Sequence, residues 1–79
     1  MPTVFIINGL RFIFFANDHE PIHIHVVKGD AEAKFSLLPK IKMIYNHGLT
    51  NSEVKKAKSF IIENLEIIIE RWNDFFGDK

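Results

Sequence analysis

Ten basic and ten acidic side chains in 79 residues leave no formal net charge, so this chain has no global basic field to draw in nucleic acid. It holds no cysteine, which excludes a disulfide framework, a thiol nucleophile and cysteine-type zinc sites, and suits a reducing cytoplasm. Its length makes one domain over residues 1–79. Its eight phenylalanines are more core than one small monomer readily hides, which points to a homodimer or a small protein partner.

The N-terminus, Met1-Pro2-Thr3-Val4-Phe5-Ile6-Ile7-Asn8, has no basic region and only a short apolar run, so it does not read as a signal peptide. No stretch approaches the ~20 apolar residues of a membrane span. A cytoplasmic chain away from membranes is the expectation.

Two hairpins come first. Val4–Ile7 and Leu10–Phe15 flank Asn8-Gly9, a pair that tolerates positive φ at both turn positions. The resulting register sets Phe5 opposite Phe12 and Val4 opposite Ile13. Both faces are apolar, with Phe5, Leu10, Phe12 and Phe14 on one and Val4, Ile6, Ile13 and Phe15 on the other. Such a strand is covered twice or forms an interface.

The second hairpin joins Ile22–Lys28 to Ala31–Leu37 through Gly29-Asp30. A two-residue turn pairs Lys28 with Ala31, Val26 with Ala33, His25 with Lys34, Ile24 with Phe35 and His23 with Ser36. Alternation then sends Ile24, Val26, Ala33 and Phe35 to the core. It leaves His23, His25, Glu32, Lys34 and Ser36 on an exposed polar face. Lys40–Tyr45 reads as a fifth strand, and Asn46-His47-Gly48 as a turn.

One long helix is expected to follow, ending at Gly77. Thr50 and Glu53 form a capping box, with Leu49 and Val54 as its hydrophobic staple. Val54, Ala57, Ile61, Leu65, Ile68, Trp72 and Phe75 make the core stripe, widened by Ile62, Ile69 and Phe76. Phe60 and Ile67 fall outside it and suggest a contact surface. Lys55, Lys56 and Lys58 near the start, with Glu63, Glu66, Glu70 and Asp74 toward the end, oppose the helix dipole. The three lysines, with Lys34, are candidate anion or RNA-backbone contacts. The predicted fold is α+β: an antiparallel sheet of four to five strands with this helix packed on one face.

Three of the four histidines, His19, His23 and His25, lie within seven residues. His23 and His25 are two apart on a strand, so both imidazoles leave the same face. Three readings fit. The pair reads as metal ligands, with a third supplied by His19, Asp18, Glu20 or His47. A neutral and a protonated imidazole side by side suit acid–base work such as phosphodiester cleavage, with Lys34, Lys28 or Arg11 on the phosphate. Both equally read as ordinary half-buried polar residues, with His19 capping the loop. The run His23-Ile24-His25-Val26-Val27 is not a histidine-triad nucleotide hydrolase signature, because Pro21 stands where its first histidine belongs.

The opening Met1-Pro2-Thr3, the block Asn17-Asp18-His19-Glu20-Pro21-Ile22-His23-Ile24-His25-Val26 and the stretch Gly29-Asp30-Ala31-Glu32-Ala33 resemble a family of small bacterial proteins catalogued as a domain of unknown function. Its members typically carry Asn-Asp-His-x-Pro-Pro-His-x-His-Val. Ile22 replaces the second proline. The resemblance implies that His19, His23 and His25 act as a unit. It also implies that the chain is one half of a toxin–antitoxin pair. No cofactor and no bound metal are implied. The expected function is therefore a toxin-like protein acting through the histidines, with RNA as a candidate substrate. The alternative is a non-catalytic partner-binding regulator or a His-x-His metal-binding module.

Overall fold

A computed structural model describes residues 3–14 and 22–76, with side chains from Phe5 onward. Five strands form one antiparallel sheet in chain order: β1 (Thr3–Ile7), β2 (Leu10–Ile13), β3 (His23–Lys28), β4 (Ala31–Ser36) and β5 (Lys42–His47). Two helices follow, α1 (Asn51–Glu63) and α2 (Leu65–Phe76).

The β1–β2 turn has φ of 52° at Asn8 and 82° at Gly9, the double positive of a type I′ turn. Phe5 faces Phe12 as the pattern predicts, but Thr3, not Val4, faces Ile13. An irregularity between Thr3 and Phe5 displaces Val4 from the ladder, as a bulge does. The β3–β4 register matches the expected one at all five predicted pairs, including His25 with Lys34. Gly29 alone has positive φ in that turn, 58°, as at the first central position of a type II′ turn.

The fifth strand begins two residues later than its alternation suggests, at Lys42, and runs through Asn46 and His47. The Ser36 hydroxyl donates to the Lys40 carbonyl at 2.9 Å, which holds Lys40 in the connecting loop. Asn46 then closes the exit of the strand: its side chain exchanges two 3.0 Å hydrogen bonds with the Leu49 backbone. Gly48 occupies this corner at φ 105°, and a Cβ there would stand 3.0 Å from the Ala31 Cβ. The positive φ favours glycine, and a Cβ would also crowd Ala31.

Thr50 caps α1 as expected. Its hydroxyl accepts from the Glu53 amide at 3.1 Å, and the Glu53 carboxylate accepts from the Thr50 amide at 2.9 Å. The same carboxylate accepts from Lys28 Nζ at 2.6 Å, tying the end of β3 to the helix start.

The single long helix of the sequence reading is broken at Asn64. This residue has φ −122° and ψ 23°, and its amide is shared between the carbonyls of Phe60 and Ile61. Its side-chain amide also donates back to the Phe60 carbonyl at 2.9 Å. Asparagine competes with the helical ladder through its own side chain, and here it ends one helix and starts another. The break makes Glu66 a first-turn residue of α2, where negative charge is favoured. One of the charges that oppose a continuous helix is therefore well placed.

The break also changes which residues are covered. Ala57, Ile61, Ile68 and Trp72 are buried, and Val54, Leu65 and Ile69 pack at the margin. Phe75 and Ile62, expected in the stripe, are exposed. Phe60, expected outside it, packs its ring 5.1 Å from Phe5 and 4.9 Å from Phe12. Ile67 is exposed as anticipated.

The helices cover the face that carries Leu10, Phe12, Phe14, Ile24, Val26, Ala33 and Phe35. Phe14 meets the Trp72 indole edge-on at 5.2 Å. This apolar layer is the main source of stability, at about 25 cal/mol per Å² of apolar surface removed from water. Among the described residues no helix is long and apolar enough to cross a membrane.

Candidate functional site

The other face of the sheet carries His23, His25, Glu32, Lys34, Tyr45 and His47. Strand alternation and the cross-strand pairs put them there together: His25 opposite Lys34, Lys34 opposite Tyr45, and Glu32 opposite His47. Here one sequence expectation is corrected. The face is not uniformly exposed, because His23 and His25 are 7% and 5% exposed. Ile13, also expected on a contact surface, is buried beside them, 2% exposed. His25 lies opposite Ile13 in the β2–β3 pairing.

A buried polar group must find a partner, since an unsatisfied one costs about 1–3 kcal/mol. His25 finds Glu32. Its Nδ1 lies 2.9 Å from Glu32 Oε2, and the same oxygen accepts from the Tyr45 hydroxyl at 2.8 Å. An oxygen that already accepts a phenolic proton is an acceptor toward the imidazole too, so Nδ1 carries a proton and donates it. No buried side-chain nitrogen or oxygen among the described residues lacks a hydrogen-bond partner.

His23 packs on the same unit. Its ring centroid is 5.2 Å from that of His25, edge to face. On its other side it meets the Trp72 indole at 5.5 Å. Trp72 thus touches Phe14 of the core layer and His23 of the polar face at one end of the sheet. Packing from α2 therefore sets the position of one imidazole, and a hydrogen bond from β4 sets the other.

Glu32 and Tyr45 are the residues that sequence reading missed. A signal for Glu32 existed. It stands two residues from Lys34, the partner of His25, so it is a diagonal neighbour across the hairpin, and long side chains bridge that offset. Tyr45 had no such signal, because the β4–β5 register contains an irregularity between Lys34 and Phe35.

The predicted site residues do not all meet. His23 and His25 are together, and Lys34 is beside them on the same face, half-buried. Lys55, Lys56 and Lys58 are exposed on α1, which packs on the opposite face. Lys55 and Lys56 there line a groove of about 420 Å³ with Ser52, Ser59 and Asn8. These three lysines cannot serve the histidines directly. His19 lies outside the described residues, as do Asp18 and Glu20. Among the described residues no three His, Asp or Glu side chains are arranged to hold a metal ion.

Residues 9–73 match the family model described as a domain of unknown function, DUF4160. The chain belongs to that family. The matched span includes every residue of the His23, His25, Glu32, Tyr45 unit and the Trp72 that packs on it. No curated protein and no solved structure matches the chain.

Proposed function

We propose that this chain is the active, toxin-like component of a small bacterial two-gene module, acting in the cytoplasm on RNA through His25. The 2.9 Å bond between His25 Nδ1 and the Glu32 carboxylate carries this reading. A carboxylate on Nδ1 fixes the tautomer, leaves Nε2 as the basic nitrogen and stabilises the imidazolium once it forms. That is the arrangement general acid–base catalysis needs.

The chemistry balances within the chain. A ribose 2′-hydroxyl gives its proton to Nε2 of neutral His25 while its oxygen bonds to the neighbouring phosphorus. The bond from phosphorus to the 5′-oxygen breaks, and that oxygen takes a proton from the imidazolium of His23. The products are a 2′,3′-cyclic phosphate and a 5′-hydroxyl, with no external reactant. Lys34 is the nearest cation on that face in the strand register and faces the phosphate charge.

Two assays test this. Expression should arrest bacterial growth, and His25→Ala should relieve the arrest. The purified chain should cleave short RNA, and Glu32→Gln should slow cleavage by about 100-fold or more, the usual worth of an acid–base group. Wild-type protein that neither arrests growth nor cleaves RNA contradicts the proposal.

The burial of both imidazoles favours a second reading, a non-catalytic partner-binding module whose histidines hold the sheet together. It needs an interface. Ile6 is 64% exposed on β1 and Ile44 51% exposed on β5, each on an edge strand of the sheet. A second copy or a small cognate protein would cover them. Light scattering across a concentration series then shows a dimer, and Ile6→Asp with Ile44→Asp returns it to a monomer. A monomer at every concentration removes the homodimer.

A further inference from the structure

The β4–β5 half of the polar face carries two groups that the acid–base unit does not use, His47 and Lys42. Tyr45 and His47 are two apart on β5, so they leave the sheet on one side. Their rings lie 4.8 Å apart, tilted by 37°. His47 is exposed and Tyr45 half-buried. The Tyr45 hydroxyl is held by Glu32 at 2.8 Å, so the pair has a fixed inner end and an open outer ring.

Two cations share this face. Lys34 stands opposite Tyr45, and Lys42 stands opposite Ser36, which is two residues from Lys34 on β4. The acid among them is Glu32, and its Oε2 already accepts two hydrogen bonds. An aromatic pair on a sheet surface that also carries two lysines matches one kind of ligand well. Single-stranded nucleic acid offers unstacked bases to the ring and phosphates to the lysines. A duplex offers the phosphates but keeps its base faces stacked on each other.

We propose that Tyr45 and His47 form a base-stacking platform for single-stranded RNA, with Lys34 and Lys42 along its sugar–phosphate backbone. The proposal rests on the RNA reading above and specifies the form of the substrate. It places the strand next to the acid–base unit, since Tyr45 and His25 share one carboxylate oxygen. Lys55, Lys56 and Lys58 take no part, being on the far side of the sheet.

The probe is a fluorescein-labelled 2′-O-methyl oligouridylate, which lacks the attacking hydroxyl and therefore reports binding without cleavage. Anisotropy should show salt-dependent binding to the intact chain. His47→Ala should weaken it about tenfold, the usual worth of one stacked base. His47→Phe should restore it, because a phenyl ring keeps the stacking surface. Lys34→Gln with Lys42→Gln should flatten the salt dependence. Lys55→Gln with Lys56→Gln, on the far side of the sheet, should retain most binding.

The outcomes separate the two proposals. Binding of this probe, with no cleavage of the matching ribose oligonucleotide, upholds the platform and overturns the acid–base reading. Cleavage with His47→Ala binding like wild type overturns the platform alone. Tighter binding of a duplex than of the single strand also overturns it, as does the absence of any binding by wild type.

Discussion

The two halves of the polar sheet face carry similar residues and treat them differently. On β2 and β3, Ile13, His23 and His25 are covered; on β4 and β5, Lys34 and Tyr45 are half-buried and His47 is exposed. Histidine occurs in both halves, so residue type does not decide burial here. Contacts do. Trp72 packs on His23 and Glu32 bonds His25, whereas His47 lies on the edge strand β5. The buried His25 requires a partner, and the open half supplies it: Glu32 bonds His25, and Tyr45 in turn donates to the same Glu32 oxygen. The candidate site is this seam, where the buried His25 meets the half-buried Glu32 and Tyr45.

The contrast between a packed layer and a hydrogen-bonded seam gives the largest effect. Phe12→Ala removes a fully buried ring from the apolar layer and should cost about 3–5 kcal/mol in urea denaturation. A loss below ~1 kcal/mol would mean that the helices do not cover this face as described.

Next comes the seam itself. Glu32→Ala strips the acceptor from both His25 and Tyr45 and should cost about 1–3 kcal/mol. Lys34→Ala, on the same strand and face, should stay within about 0.5 kcal/mol. Equal effects for the two would erase the distinction between seam and open half.

Much of this was legible in the sequence. Asn8-Gly9 and Gly29-Asp30 mark both hairpin turns, and the register follows from them except at Val4, which the bulge displaces. Thr50 and Glu53 announce the start of α1 by chemistry that reads locally. The break at Asn64 was not legible. Asparagine within an apolar-periodic run is tolerated in many helices, and what decides the outcome here is a side-chain bond to the Phe60 carbonyl. The burial of His23 and His25 was hidden for another reason. Alternation assigns residues to faces, but whether a face is covered depends on contacts distant in sequence, such as Trp72 on His23. The Glu32 link was within reach through the diagonal neighbour rule and was masked by attention to the directly facing Lys34.

The smallest effect lies at the helix start, outside the seam. Lys28 and the Thr50 cap hold the Glu53 carboxyl below its ordinary value of 4.5, the Lys28 hydrogen bond being the larger cause. A carboxyl whose pKa is lowered on folding adds stability above its unfolded value, and that stability fades as the pH falls through the folded value. Wild type should therefore lose its advantage over Glu53→Gln as the pH drops below the ordinary glutamate range. Thermal melts of both proteins over that range check this. The group is exposed, so the difference should be small, and a gap that widens on acidification would reverse the sign.

The His25–Glu32 bond is the feature on which both the seam and its chemistry depend, and histidine nitrogen resonances report it directly. Long-range proton–nitrogen correlation spectra, recorded where imidazole is neutral, should show His25 as the Nδ1–H tautomer in wild type. In Glu32→Gln that proton should lose its hydrogen-bond shift while the folded spectrum persists. A His25 ring that carries its proton on Nε2 in wild type, or a resonance indifferent to Glu32→Gln, would contradict the account.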